Sequence, residues 1–163
     1  MRYKIAEAEN IDCKDFENIK SICLGSGRLY YVLCDDMPYL SVEVDIFSVF
    51  SSAVIFYGYL VIGNYYDGVY IIDLNDLSVK KKDISGYFGD FEVTENVLYV
   101  LGGENITAYD KELNEIWVSD ALAVDGIVCG GIENGAMDIS CEMDPPGGWV
   151  DRKIDITSGK IFR

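Results

Sequence analysis

The chain of 163 residues is half apolar and 13% aromatic, which excludes a disordered segment and fits one globular domain. Its 28 acidic and 13 basic residues leave a net charge of −15, which argues against direct binding to nucleic acid or to anionic membranes. Histidine is absent, which removes the commonest general base and metal ligand at neutral pH.

The first 28 residues contain the one segment with helical spacing. Asn10 or Asp12 is a candidate N-cap, and Phe16, Ile19 and Ile22 follow at that spacing. We therefore predict at most one short N-terminal helix. Charged residues interrupt the apolar ones here, and every apolar run in the chain is far shorter than the roughly 20 residues that cross a bilayer. Neither a secretory signal nor a membrane-spanning segment is expected.

The cysteines indicate the compartment. The sequence has five of them, an odd number without a Cys-x-x-Cys pair, which argues against a disulfide framework or a zinc site. Since cysteine is among the most buried residue types, we expect small buried thiols in a reducing environment. This predicts a cytoplasmic protein.

From residue 29 onward a strand-turn-strand unit recurs about four times. The clearest copy runs from Tyr59 to Asp73 and a second from Val97 to Asp110, while weaker copies lie at 29–49 and 126–162. Units of roughly 40 residues with this pattern resemble the blades of WD-repeat and quinoprotein-type β-propellers. The Trp-Asp and Gly-His dipeptides of WD repeats are absent.

The fold prediction follows from these repeats. We predict a single all-β domain over residues 1–163, built as a propeller-like array of about four antiparallel strand-turn-strand repeats. An antiparallel β-sandwich or meander made from the same hairpins is the alternative.

The charged residues are unevenly distributed along the chain. Residues 29–79 contain seven acidic and no basic residues, and residues 112–151 contain nine acidic and no basic ones. The acidic charge therefore belongs to the β-rich body, where strand alternation could gather it on one face or rim. Between these stretches, Lys80–Lys82 is expected in a solvated turn or at an edge strand.

Carboxylate chemistry is the main enzymatic alternative. Neighbouring acids such as Asp35 and Asp36 could run glycoside hydrolysis, but such pairs arise by chance among 28 carboxylates. The stretches 64–67 and 73–76 do not match a calcium-binding loop and instead resemble Asx turns. We expect no catalytic residue, no metal and no cofactor.

The segment Glu142-Met-Asp144-Pro-Pro-Gly-Gly-Trp149 is the most unusual in the chain. Its prolines stiffen the loop and its glycines permit a sharp reversal, so Trp149 is presented on a rigid frame beside acids. One interpretation is a hairpin whose Trp149 folds back onto the core. The other is a preorganised binding loop with Trp149 as its anchor.

The DPPGGW turn followed by DITSGK (155–160) resembles a C-terminal pattern of small bacterial proteins, some of which look like immunity proteins of polymorphic toxin systems. This resemblance covers about the last 25 residues. It implies a toxin-neutralising binder and carries no active-site residues.

The leading hypothesis is a non-enzymatic inhibitor whose acidic face occludes a basic protein such as a nuclease toxin. Its candidate partner-binding residues are Tyr65, Tyr66, Asp67, Glu142, Asp144 and Trp149. Two alternatives are a generic β-scaffold or sensor that binds a peptide or glycan, and a carboxylate-dependent glycoside hydrolase.

Overall fold

The computed structural model describes residues 2–6, 11–45, 50–64 and 68–162, apart from the side chain of Cys13. In this part of the chain, fifteen strands form four small sheets. The first sheet contains β1 (Tyr3–Ile5), β2 (Lys20–Cys23), β3 (Gly27–Cys34) and β4 (Met37–Asp45). The second contains β5 (Ser51–Phe56), β6 (Tyr59–Asn64), β7 (Gly68–Asp73) and β8 (Val79–Lys82). The third contains β9 (Phe88–Val93), β10 (Leu98–Gly102), β11 (Ile106–Tyr109) and β12 (Glu115–Val118). The fourth contains β13 (Ile127–Glu133), β14 (Ala136–Glu142) and β15 (Trp149–Asp155).

The strand order confirms the all-β prediction. The second, third and fourth sheets are antiparallel meanders in which consecutive strands pair. The first sheet has the order β1-β3-β4-β2, and its β2 is parallel to β4. The two clearest sequence repeats correspond to the central hairpins β6-β7 and β10-β11. Lys80–Lys82 lies in β8, an edge strand, as the lysine cluster predicts.

The N-terminal helix is shorter than the sequence spacing indicates. It is a single 3-10 turn, Cys13–Phe16, capped by Asp12, whose side chain accepts a hydrogen bond from the Lys14 amide at 3.0 Å. Ile22 lies instead in β2, opposite Val42 of β4. Pairing with β4 thus overrides the local helical pattern. Asn10, the alternative cap, lies outside the described residues.

The sheets pack face to face in chain order. Successive side chains along a strand point to opposite faces of its sheet, so they belong to different apolar cores. In β6, Leu60 and Ile62 pack with the first sheet, while Val61 packs with the third. In β10, Val100 packs with the second sheet, while Leu101 packs with the fourth. The central strands of the second and third sheets are therefore buried on both faces, which explains their nearly continuous apolar runs.

Three apolar cores join the first sheet to the second, the second to the third, and the third to the fourth. Among the described residues, none of these cores contains side chains from both the first and the fourth sheet. A closed propeller ring therefore stays a prediction. The alternative of packed antiparallel meanders is compatible with this arrangement.

An aspartate turn recurs where the third strand of a sheet ends. Asp73 accepts a hydrogen bond from the Asn75 amide at 2.8 Å, and Asp155 accepts one from the Thr157 amide at 2.7 Å. Asp110 occupies the same place after β11 and accepts bonds from two amides. The turn interpretation of residues 73–76 is confirmed, because the Asp73 side chain accepts a hydrogen bond from the amide two residues further on. Each aspartate thus binds backbone amides just beyond the end of the strand pairing.

Candidate functional site

A cavity lies where the first strands of three sheets converge. The strands β5, β9 and β13 are each at the edge of their sheet, and β9 contacts both of the others. The cavity has a volume of about 280 Å³ and is lined mainly by residues of β9, of β13 and of the loops that precede them. Sheet packing alone brings these segments together, since they are far apart in sequence.

A chain of backbone hydrogen bonds holds the wall of the cavity. The Gly103 amide donates to the Tyr87 carbonyl at 2.9 Å, and the Gly126 amide donates to the Gly103 carbonyl at 2.8 Å. The Glu142 amide then donates to the Gly126 carbonyl at 3.0 Å. Gly126 has φ of +134°, a conformation that favours glycine. Four segments from the third and fourth sheets are thereby fixed to one another.

Three aromatic side chains line the cavity: Phe50, Tyr87 and Trp149. The Phe50 and Tyr87 rings are 6.0 Å apart between centroids, and the Tyr87 hydroxyl donates to the Asp125 carbonyl at 3.1 Å. Trp149 lies over Gly126, where a Cβ atom would come within 3.7 Å of its ring. Phe50 is 47% exposed and Trp149 is 46% exposed, so the rings offer accessible apolar surface.

Hydrogen bonds within the loop 142–149 hold Trp149 in place. A Glu142 carboxylate oxygen accepts from the Gly147 amide at 2.7 Å, and the Gly148 carbonyl accepts from the Met143 amide at 2.8 Å. The Gly148 amide donates to the Asp144 carbonyl at 3.0 Å. Trp149 then begins β15 opposite Glu142. The loop is closed on itself, and Trp149 is half-exposed rather than sealed in the core.

The cavity has an acidic lining. Asp90, Glu92, Asp125 and Glu142 contribute to it, whereas none of the described lysines or arginines does. Glu92 and Glu142 are half-buried, and Asp90 and Asp125 are exposed at the rim. Carboxylates next to aromatic faces create a negative potential that attracts cations.

The cavity is also lined by a cysteine, Cys129 of β13. Burial and the neighbouring Glu92 carboxylate raise the pKa of the Cys129 thiol. Raising the pKa keeps the thiol protonated at neutral pH, and a protonated thiol is a poor nucleophile. Cys141 is buried as predicted, Cys34 and Cys129 are half-buried, and Cys23 is exposed, contrary to the expectation of buried thiols.

Asp35 and Asp36, the neighbouring acids that could run glycoside hydrolysis, lie in a hairpin turn. Asp35 and Asp36 occupy the two-residue connection between β3 and β4, with φ of 49° and 67°. An ion pair with Lys4 lowers the pKa of Asp36. In the part of the chain that the structure describes, no three cysteine, aspartate or glutamate side chains form a group that could hold a metal ion.

The predicted site residues fall into three groups. Glu142 and Trp149 line the cavity, while Asp144 is exposed on the same loop outside the lining. Tyr65, Tyr66 and Asp67 lie outside the described residues. Sequence reasoning missed the other lining residues, among them the aromatic and acidic side chains of Phe50, Tyr87, Asp90, Glu92 and Asp125. Gly103 and Gly126 permit the close approach of Tyr87, but they lie far from Tyr87 in sequence, so no local pattern connects them to it.

Comparison with protein-family models and with curated proteins finds no match to this chain. Among the described residues, no helix has the length and apolar character needed to cross a bilayer.

Proposed function

We propose that this chain is a non-enzymatic protein-binding module that docks a basic partner over the cavity between β9 and β13. One observation carries the proposal: three aromatic rings and four carboxylates line a single cavity to which no described lysine or arginine contributes. Aromatic anchors in preformed recesses supply much of the affinity at protein interfaces. Acidic groups around them accelerate the approach of a basic protein.

The specific form that we propose is an immunity-type inhibitor, which neutralises a basic toxin such as a nuclease by covering its active surface. The DPPGGW loop supports this form, because it stiffens Trp149 at the cavity and belongs to a C-terminal pattern that resembles that of small bacterial proteins, some of which look like immunity proteins. Inhibition by occlusion requires no reacting group. The free thiols support action in the cytoplasm, where cysteines stay reduced.

Affinity capture from the native host tests this function. The bait is the full chain at low and at high salt, and captured proteins are identified by mass spectrometry. A matched bait carries Asp90→Asn, Glu92→Gln, Asp125→Asn and Glu142→Gln. A control bait carries Glu133→Gln, which removes an exposed acid at the β13-β14 turn.

We expect the unmodified and control baits to capture one basic protein at low salt, and the four-amide bait to lose it. High salt weakens the capture, because it screens exposed charges beyond about 10 Å at roughly 0.1 M. Retention of the same protein by the four-amide bait would contradict the proposal. So would capture of acidic proteins only.

A further inference from the structure

We infer that the cavity seats one arginine side chain of the basic partner, an inference that rests on the proposed function. The size of the cavity is the first argument. Its volume of about 280 Å³ lies just below the roughly 300–1,000 Å³ of typical small-molecule sites. A single long side chain fits such a volume, whereas a folded element of the partner does not.

The aromatic walls favour a flat cation. Trp149 and Tyr87 both lie next to Gly126: a Cβ atom there would lie 3.7 Å from the Trp149 ring and 3.1 Å from the Tyr87 hydroxyl. A guanidinium is planar and weakly hydrated, so it stacks on aromatic faces at a smaller desolvation cost than an ammonium. The rings therefore select arginine over lysine.

The carboxylates supply the counter-charge at two depths. Asp90 and Asp125 are exposed at the rim, where they attract a cation from solvent. Glu92 and Glu142 are half-buried, where they can accept hydrogen bonds from a seated guanidinium. Glu142 accepts from the Gly147 amide and Glu92 interacts with the Cys129 thiol, and each carboxylate keeps further acceptor sites. We assign Glu92 to the guanidinium, because it lies on β9 in the lining of the cavity, whereas Glu142 holds the loop 142–149 closed.

The test uses short glycine peptides with capped ends and a central arginine, lysine or citrulline. Each peptide is titrated into the 15N-labelled full chain, and the indole signal of Trp149 is followed by NMR. Trp117 serves as the internal reference, since its indole donates to the Ile156 carbonyl at 3.0 Å outside the cavity. Glu92→Gln is the cavity variant, and Glu133→Gln is its control.

We expect the arginine peptide to shift the Trp149 indole to saturation and to leave Trp117 unchanged. Lysine binds several-fold more weakly, and neutral citrulline gives no saturating shift. Glu92→Gln weakens arginine binding by about fivefold or more, as expected for loss of a charged hydrogen-bond acceptor, whereas Glu133→Gln does not.

Two results would overturn the inference. Equal binding of lysine and arginine would remove the preference for a planar cation, and an unmoved Trp149 indole would show that no such side chain enters. Neither result decides the proposed function, because affinity capture reads binding of the whole partner. If a partner is captured but no peptide shifts the Trp149 indole signal, the binding function stands and the arginine assignment is refuted.

Discussion

Tyr87 and Gly103 are in such close contact that a Cβ atom at residue 103 would lie 2.7 Å from Cε1 of the Tyr87 ring. The same ring packs against Phe50, and its hydroxyl is bound to the Asp125 carbonyl, so it cannot move aside without losing both contacts. Gly103 thus sets the position of one wall of the cavity.

Gly103→Ala is predicted to destabilise the chain by about 1–3 kcal/mol, the usual cost of forcing atoms into a packed site. The free energy of unfolding in urea measures this effect. Gly130→Ala is the control, because a Cβ atom there meets its nearest neighbour at 3.7 Å, an ordinary contact. A similar loss in both variants would show that the Tyr87 contact is not responsible.

Glu142→Ala is predicted to loosen the loop that presents Trp149. The change leaves the Gly147 amide without its carboxylate acceptor, at a cost of about 1 kcal/mol. Hydrogen exchange of the Gly147 amide should accelerate by roughly fivefold, while amides of β10 keep their protection. Exchange at Gly147 that matches the unmodified chain would contradict this role. Glu133→Ala is the matched acid removal.

Lys82 joins the second and third sheets in a way that its neighbour Lys80 does not. Its ammonium donates to the Leu113 carbonyl at 2.8 Å and lies 4.3 Å from the centroid of the Tyr109 ring. Lys82→Ala is predicted to cost about 1–2 kcal/mol of unfolding free energy. Lys80→Ala, at an exposed position of the same strand, should change it by less than about 0.5 kcal/mol. Equal effects of the two variants would refute the prediction.

The aspartate turns predict the direction of acid sensitivity. Hydrogen bonds from Thr157 lower the pKa of Asp155. Desolvation acts to raise the pKa of Asp110, but hydrogen bonds from Asn114 and Glu112 outweigh it, so that pKa is lowered as well. Since the unfolded state binds protons more readily, these turns stabilise the fold above about pH 4, the pKa of free aspartate. That stabilisation is lost as the pH falls through the lower folded values.

The urea midpoint should therefore decrease between neutral pH and about pH 3. The decrease should be smaller in Asp155→Asn, which keeps an acceptor oxygen but does not titrate. An identical pH dependence in Asp155→Asn and the unmodified chain would count against the contribution of this turn.

The local structure was accessible from sequence because its determinants are local. The hairpins β6-β7 and β10-β11 read directly as β-branched runs that end in an aspartate turn. The packing of the sheets against one another could not be predicted from sequence. Strands that are buried on both faces are apolar on both, so their sequences do not show which residues face which neighbouring sheet. The parallel pairing of β2 with β4 could not be predicted either, because the segment that contains β2 has apolar residues at helical spacing.

The residues of the candidate site also differ in whether sequence could predict them. Glu142 and Trp149 lie in one loop of distinctive composition, so a single segment pointed to them. Phe50, Tyr87 and Asp125 come from three separate segments, and only the convergence of β5, β9 and β13 brings them together. Chain-local patterns contain no information about that convergence.

Site-specific photo-crosslinking in the native host tests most directly whether the cavity is the binding surface. A photoreactive phenylalanine analogue replaces either Phe50, at the cavity and 47% exposed, or Phe162, outside the lining and 50% exposed. We predict a covalent adduct with a basic protein from position 50 and none from position 162. Adducts of equal yield at both positions, or an adduct at position 162 alone, would contradict a partner seated over the cavity.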